Sequence, residues 1–186
     1  MDPRLALYKS ELLKWNAKVN LIGPEARENL DAHIAEALAA ADILKPKGEV
    51  LDFGSGGGLP AIPMAILSPE ARFHLVEADL KKWAFLKHVV RECGLNSVVH
   101  GDRLARLLGR LPSELRFSLV ISRAVGDPEE WVPSLKGHLA DGARVALFQG
   151  SPDVPEIAGF DRGEAVPLPR GTSNYLAMLM FHVEQH

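Results

Sequence analysis

The sequence has little cysteine, few aromatic residues and no long apolar run. Its one cysteine, Cys93, cannot form a disulfide within the chain, and only 6% of the 186 residues are aromatic. A lone cysteine in an amphipathic helical pattern is typical of a reducing compartment, where the thiol serves as core filler. No stretch approaches the roughly 20 apolar residues that span a bilayer, and the charged N-terminus does not resemble a secretion signal. We therefore expect a cytoplasmic protein with no membrane segment.

The sequence also lacks a strong charge of one sign, since its formal net charge is −3. The distribution of charge is less even: residues 24–70 carry 3 Lys and Arg against 8 Asp and Glu, whereas residues 71–123 carry 10 against 5. The second segment can offer a basic surface to a nucleic-acid backbone, although solvated helix faces explain the same pattern. No group of His, Cys and carboxylate residues has metal-ligand spacing, so we expect no metal.

The first 44 residues are predicted to be helical. Apolar residues recur at helical spacing over Asp2–Ala17 and again over Pro24–Asp42. The segment Lys45–Gly48 then breaks the pattern. In a chain of this length, we expect a helical segment, residues 1–44, packed on a main domain, residues 45–186, as one globular unit.

After that break, short apolar runs alternate with helical stretches, which is typical of βαβ units and a parallel sheet. The predicted strands are Glu49–Phe53, Arg72–Glu77, Ser97–His100, Phe117–Ser122 and Ala143–Gln149. The predicted helices are Pro60–Leu67, Lys81–Cys93, Asp102–Leu111 and Pro128–Leu139. Tyr175–Val183 is apolar enough for a last strand, in a final antiparallel pair. The pattern therefore predicts an α/β fold with a doubly wound, mostly parallel sheet.

A glycine-rich turn follows the first predicted strand. Asp52 lies near the end of that strand, Gly54, Gly56 and Gly58 follow, and a helix begins near Pro60. Glycine lets the backbone approach a ligand, and the helix N-terminus favours an anionic group. Glu77 ends the next strand, 19 residues after Gly58, where a carboxylate can bind both hydroxyls of a ribose. The order of these features predicts a nucleotide cofactor site.

Two cofactor classes fit this turn. The dinucleotide pattern G-x-G-x-x-A is met from Gly56 to Ala61, so the pattern alone leaves a dehydrogenase open. Asp52 argues against it, because an acid before the turn disfavours a dianionic pyrophosphate. The same acid suits S-adenosylmethionine (SAM), which carries an ammonium and a sulfonium. We therefore predict a SAM-dependent methyltransferase.

Further motifs resemble the RsmG family, also called glucose-inhibited division protein B, of bacterial 16S ribosomal RNA guanine-N7 methyltransferases. The matching positions are Trp15-Asn16, Asn20-Leu21, His33-Ile34-x-Glu36, Asp52-x-Gly54-Ser55-Gly56-Gly57-Gly58-Leu59-Pro60-x-Ile62-Pro63, Lys81-Lys82-x-x-Phe85-Leu86, Leu95-Asn96 and Ser122-Arg123-Ala124. The resemblance implies a seven-stranded, Rossmann-like sheet of the type found in class I SAM-dependent methyltransferases. It also implies methylation of guanine N7 in 16S rRNA, with the small ribosomal subunit or its RNA as partner. The sequence does not fix the oligomeric state, and we expect a monomer.

The chain departs from the family pattern at several positions that are expected to meet RNA. Glu36-Ala37 replaces the usual Asp-Ser. The other departures are Ala105, Ser118, Gln149 and Asn174. They leave two alternatives open, a cofactor-binding RNA module without efficient turnover and a small-molecule methyltransferase.

The resemblance and the strand ends together define the expected site. The expected cofactor-binding residues are Asp52, Gly54, Ser55, Gly56, Gly58, Leu59, Glu77, Asp102 and Arg103, with Asp102 or its neighbours facing the adenine. Arg123 and Arg103 are expected to position the nucleotide, because arginine binds phosphate or stacks on a base. Guanine N7 has no proton to lose, so no general base is expected. His33 and Glu36 share a helix face, where a structural hydrogen bond is favoured over catalysis.

Overall fold

The computed structural model describes residues 2–123, 125–169 and 175–183. Its α-helices are α1 (Pro3–Asn16), α2 (Pro24–Glu28), α3 (Leu30–Leu44), α4 (Ala61–Leu67), α5 (Leu80–Glu92), α6 (Leu104–Leu108) and α7 (Pro128–Trp131), and a 3₁₀ helix spans Val132–His138. Its strands are β1 (Gly48–Phe53), β2 (Ala71–Val76), β3 (Ser97–His100), β4 (Phe117–Arg123), β5 (Leu139–Gln149), β6 (Phe160–Pro167) and β7 (Tyr175–Phe181).

In the described part of the chain, these strands form one seven-stranded sheet in the order β3-β2-β1-β4-β5-β7-β6. Strands β1 to β5 run parallel, and β7 pairs antiparallel with both β5 and β6. The strand order reverses between β1 and β4, and ligands bind at the carboxyl ends of the strands beside such a reversal. The predicted doubly wound sheet and its final antiparallel pair are confirmed.

Alternating side chains along each strand divide the core between the two faces of the sheet. Val50 packs in a cluster with α1, α3, α4 and α5, whereas the next residue, Leu51, packs in a cluster with α6, α7 and the 3₁₀ helix. The first cluster contains residues from both sides of the predicted boundary at residue 44. The division into 1–44 and 45–186 itself stays a prediction. No helix in the described ranges is long and apolar enough to cross a membrane.

The predicted strand ends agree with the structure to within one residue for β1 to β4, and β5 begins at Leu139 rather than Ala143. Helices cover both faces of the sheet, so these strands are apolar on both faces. Such continuous apolar runs are easy to recognise in a sequence. The prediction of a single helix over Pro24–Asp42 is wrong, because the helical run is interrupted at Asn29. The Asn29 side-chain amide donates to the Glu25 carbonyl at 3.2 Å, a local bond that competes with the helical pattern.

Two other helices are shorter than predicted. The predicted helix Asp102–Leu111 is limited to α6, which ends before Gly109 and Pro112, residue types that disfavour continued helix. The predicted helix Pro128–Leu139 is α-helical only to Trp131 and then becomes 3₁₀. Pro133 lies where the α-helix would continue, and because it has no N–H it cannot donate to the carbonyl four residues earlier.

Candidate cofactor and substrate site

The glycine-rich turn connects β1 to α4 at the carboxyl end of the sheet. Gly56 has φ +54°, and a Cβ atom there would meet only the Gly54 carbonyl oxygen, at 3.8 Å. The backbone at Gly56 therefore faces open space, where a ligand can approach it closely.

The next residue, Gly57, faces the N-terminal helices instead. A Cβ atom on Gly57 would lie 2.9 Å from Cγ2 of Ile22 and 3.2 Å from Cδ1 of Leu12. The hydroxyl of Tyr8, a fully buried residue of α1, donates to the Gly57 carbonyl at 2.8 Å. One side of the turn therefore packs against the N-terminal segment, and the other side, at Gly56, is open.

Glu77 follows β2 and lies directly beside the turn. Its Oε2 accepts from the Gly56 N–H at 2.9 Å, and its Oε1 accepts from the Asp79 N–H at 2.8 Å. These bonds fix the carboxylate, and each oxygen keeps a second lone pair for another donor. Glu77 therefore lies beside the glycine turn, as predicted, although it follows the last residue of β2 rather than ending that strand.

A cavity of about 480 Å³ opens beside Glu77 at the same edge of the sheet. Its volume lies within the range of small-ligand sites. The Trp131 and Phe53 rings pack edge-to-face, with their centroids 4.9 Å apart. The Trp131 Nε1 donates to the Val125 carbonyl at 3.2 Å. The lining residues are Phe53, Gly54, Val76, Glu77, Ala78, Asp102, Arg103, Leu104, Ala105, Val125, Glu130, Trp131 and Ser134. Mostly apolar walls, with the fixed Glu77 carboxylate at one side, suit a nucleoside.

Asp102 and Arg103 both line this cavity, after β3. The Asp102 carboxylate accepts from the Arg103 N–H at 2.8 Å and from Arg110 at 3.1 Å, and it lies 3.5 Å from Arg106. Two guanidinium groups on or just after α6 therefore hold this acid in place. Asp102 stands where the resemblance led us to expect it, but its carboxylate already has bonding partners.

Asp52 does not line the cavity. Its side chain is 1% exposed and projects from β1 toward the face of α1, α3 and α4, since it shares that face with Val50. Burial raises the pKa of Asp52 to about 7, although Ser55 and the positive charge of Arg123 favour the ionised form. Among the described residues, its Oδ2 has no hydrogen-bond partner. An orphaned buried carboxylate oxygen is costly, and a cationic donor would satisfy it.

Ser55, Gly58 and Leu59 belong to the turn but not to the cavity wall. Ser55 is 1% exposed, and its hydroxyl donates to the Asp52 carbonyl at 3.2 Å. The Gly58 N–H donates to the Ser55 carbonyl at 2.7 Å, and Leu59 packs in the core. Their contacts indicate that these three residues shape the turn.

Arg123 ends β4, next to β1, and its side chain reaches α3. The Arg123 Nη1 lies 3.0 Å from Nδ1 of His33. The His33 Nδ1 also lies 3.6 Å from Oε2 of Glu36. His33 and Glu36 are each 1% exposed. The pKa of Arg123 is lowered by burial, while Tyr8, Glu36 and Asp52 act in the opposite direction. Arg123 therefore belongs to the buried layer that contains Asp52, whereas Arg103 borders the cavity.

Comparison with known proteins identifies the family. The model of the rRNA small subunit methyltransferase G family matches residues 1–167. A protein of Ruegeria sp. (strain TM1040) named ribosomal RNA small subunit methyltransferase G is 35% identical over 153 residues, covering 80% of this chain and 72% of the relative. A protein of the same name from Helicobacter pylori (strain HPAG1) is 33% identical, covering 85% and 87%. The chain belongs to this family.

Solved structures support the same fold. A putative methyltransferase, yhhF, from Escherichia coli superposes with a TM-score of 0.62 at 16% identity, covering 80% of this chain and 86% of that one. A putative O-methyltransferase from Klebsiella pneumoniae gives 0.66 at 12% identity, covering 98% and 91%. The predicted family, fold class, SAM-dependent rRNA methyltransferase activity and cofactor are confirmed, and the dehydrogenase alternative is wrong.

The positions that depart from the family pattern are scattered. Ala105 lines the cavity, whereas the Ser118 hydroxyl donates to the Lys47 carbonyl at 2.6 Å, near the start of β4. The Gln149 amide donates to the Ser151 carbonyl at 2.8 Å, in the loop after β5. Asn174 and Ala124 lie outside the described residues. Of these departures, only Ala105 is placed by the structure in the cavity wall.

Sequence reasoning missed two groups of residues near the site. Val125, Glu130, Trp131 and Ser134 line the cavity, but their spacing carries no recognisable motif. Tyr8 had a usable signal, because it lies on the apolar stripe of α1 between Leu5 and Leu12. A tyrosine in a buried stripe needs a hydrogen-bond partner for its hydroxyl, and that partner is the glycine turn.

Proposed function

We propose that this chain transfers the methyl group of SAM to N7 of a guanine in 16S rRNA, using the edge of the sheet between β2 and β4. One observation supports the site most directly. The Glu77 carboxylate is bonded to the Gly56 N–H at the rim of the nucleoside-sized cavity. This arrangement is suited to a nucleoside whose ribose meets Glu77 and whose amino-acid tail lies along the turn.

The residues present fit the whole cofactor. The apolar cavity suits adenosine, and the open space at Gly56 leaves room for the tail. Asp52 Oδ2, which has no hydrogen-bond partner among the described residues, suits the ammonium group. We assign contacts with the cofactor to Asp52, Gly54, Gly56, Glu77, Asp102 and Arg103. We assign Ser55, Gly58 and Leu59 to cofactor binding through the shape of the turn.

The chemistry asks the protein for positioning rather than for proton transfer. SAM supplies an electrophilic methyl group on a sulfonium sulfur, and guanine N7 supplies a lone pair without losing a proton. A general base is therefore unnecessary, and the protein must align the base and exclude water. We assign nucleotide positioning to Arg123 at the end of β4 and to Arg103 at the cavity.

The partner in this proposal is 16S rRNA or the small subunit. The excess of basic residues over 71–123 supports phosphate binding, which predicts affinity that falls steeply with salt. We propose a monomer in the cytoplasm with a helical segment, residues 1–44, on the methyltransferase domain, residues 45–186. We also propose that no metal takes part, in keeping with a positioning mechanism.

Small ribosomal subunits from cells that lack this methylation provide the test. Incubation with tritiated SAM should label guanine N7 of the 16S RNA, as located after nuclease digestion. Label on another atom would refute the N7 assignment. Cofactor binding without transfer to subunits or free RNA would instead support a binding module, and transfer only to a metabolite would support a small-molecule enzyme.

The placement of the cofactor can be tested separately at Gly56. Gly56→Ala puts a methyl group into the space that the cofactor tail would occupy. The resulting clash should weaken S-adenosylhomocysteine binding about tenfold or more. Gly142→Ala is the matched control, because Gly142 has φ +71° and open space but lies in β5, away from the cavity. Both variants bear a similar backbone strain of about 1–2 kcal/mol. Equal affinities by calorimetry would refute this placement of the cofactor.

A further inference from the structure

The contact between Arg123 and His33 defines the protonation state of the histidine. Nη1 of Arg123 is 3.0 Å from Nδ1 of His33. A guanidinium group carries only donors, so Nδ1 must be the acceptor. The bond from Arg123 therefore fits the neutral tautomer of His33 that carries its hydrogen on Nε2.

The bond joins two parts of the chain that are far apart in sequence. His33 lies on α3, in the N-terminal helical segment, and Arg123 lies at the carboxyl end of β4. The imidazole is 1% exposed and cannot move without repacking of the core around it. By contrast, arginine has a long, flexible side chain that needs external contacts to hold one orientation.

We propose that His33 is a positioning residue, whose Nδ1 holds the Arg123 guanidinium in the orientation that receives the guanine nucleotide. This inference rests on the proposed role of Arg123 in the substrate site. His33 itself touches neither the cofactor nor the reacting atoms. It acts by fixing the direction of one N–H and thereby the plane of the guanidinium group.

The same geometry makes the bond sensitive to protonation of His33. An imidazolium would present a donor to a donor and place two positive charges side by side. The charged groups near His33 include Arg123 from β4, Glu36 from its own helix and Glu25 from α2. Burial and the charge of Arg123 lower the pKa of His33, whereas Glu25 raises it. The neutral acceptor is favoured at neutral pH, and acid should release Arg123.

The test compares His33→Asn with His33→Phe in the methylation of small subunits at saturating SAM, so that cofactor affinity does not enter. His33→Phe removes the acceptor, and kcat/KM for the subunit should fall about tenfold to a hundredfold, the effect of losing a bond to a charged group. The Kd of S-adenosylhomocysteine should stay within about twofold of wild type, since the cofactor contacts are separate. His33→Asn keeps an amide oxygen as acceptor and should recover most of the lost activity.

The pH profile separates positioning from packing. Saturating SAM pairs Asp52 with the cofactor ammonium and so keeps this acid ionised in both proteins. Wild-type kcat/KM should then fall toward acid pH through His33, and this fall should be missing in His33→Asn because an amide does not titrate. Persistence of the same fall in His33→Asn, or full activity in a folded His33→Phe, would overturn the inference. Equal losses in both variants would also overturn it, because they would indicate core packing alone.

Arg123→Gln distinguishes failure of this inference from failure of the proposed function. If Arg123→Gln keeps full activity, the proposed role of Arg123 is wrong and the inference about His33 falls with it. If Arg123→Gln is impaired while His33→Phe is not, only the inference about His33 fails. In the double variant, His33→Phe should add little to the loss caused by Arg123→Gln, since the two residues act through one bond.

Discussion

Replacement of Asp52 with Asn should stabilise the ligand-free protein at alkaline pH while weakening cofactor binding. The Asp52 side chain is enclosed under the glycine turn, and burial raises its pKa from an ordinary 3.8 to about 7. The folded protein therefore holds a proton on Asp52 that the unfolded chain has already released between these two values. Stability contributed by the protonated acid is fully present below the lower pKa and is lost as pH rises through the higher one.

The size of this effect follows from the two pKa values. At 1.36 kcal/mol per pKa unit, ionised Asp52 costs the folded protein about 4 kcal/mol. Linkage places about 2–3 kcal/mol of that loss between pH 5 and pH 8. Asparagine has nearly the same shape and no titration, so the advantage of Asp52→Asn over wild type should grow by that amount. For a chain of this size, the difference in Tm should widen by about 4–12 °C.

Scanning calorimetry of both proteins at pH 5 and pH 8 measures this difference, with Asp42→Asn on the exposed surface of α3 as the control. Calorimetric titration with SAM then tests the second half of the prediction. Loss of the carboxylate partner of an ammonium should cost about 2 kcal/mol or more of binding at pH 8. A pH-independent gap in Tm would show that the acid carries no buried-charge cost. Unchanged SAM affinity would show that Asp52 is not the ammonium partner.

Two other substitutions test how the N-terminal helices support the turn. Tyr8→Phe leaves the buried Gly57 carbonyl without its donor and should cost about 1–3 kcal/mol of unfolding free energy; urea denaturation measures it, and a loss near zero would mean that the carbonyl finds another donor. Gly57→Ala forces a methyl group against Ile22 and Leu12 and should destabilise the fold by about 1–3 kcal/mol. Gly137→Ala, where a Cβ has open space, is the control; equal midpoints for the two would contradict the packing described for Gly57.

The sequence was sufficient for the parts of the site that are local in the chain. The turn from Gly54 to Gly58 can be recognised in the sequence because its glycines directly follow an apolar strand. Glu77 could be predicted because parallel strands end at the same edge of a sheet, so the acid after β2 must lie near the turn after β1. No long-range contact has to be known for either inference.

The remainder of the site depends on packing between distant segments. Trp131 enters the cavity wall because the chain after β4 folds back so that its Nε1 reaches the Val125 carbonyl, and no spacing rule encodes that path. The helix prediction failed in the same region, where the α-helix gives way to a 3₁₀ helix near Pro133. Asp52 was assigned from its position, but its burial apart from the cavity was not foreseen.

These contacts change how the N-terminal segment should be regarded. A helical extension that merely covered the sheet would contribute apolar area and nothing to the site. Here α1 supplies the Tyr8 bond to the Gly57 carbonyl, and α3 supplies the His33 bond to Arg123. The turn and the arginine therefore rest on one buried layer, which also contains Asp52. Loss of the Tyr8 bond on α1 should therefore affect the turn and cofactor affinity, whereas loss of the His33 bond on α3 should affect Arg123 and substrate positioning.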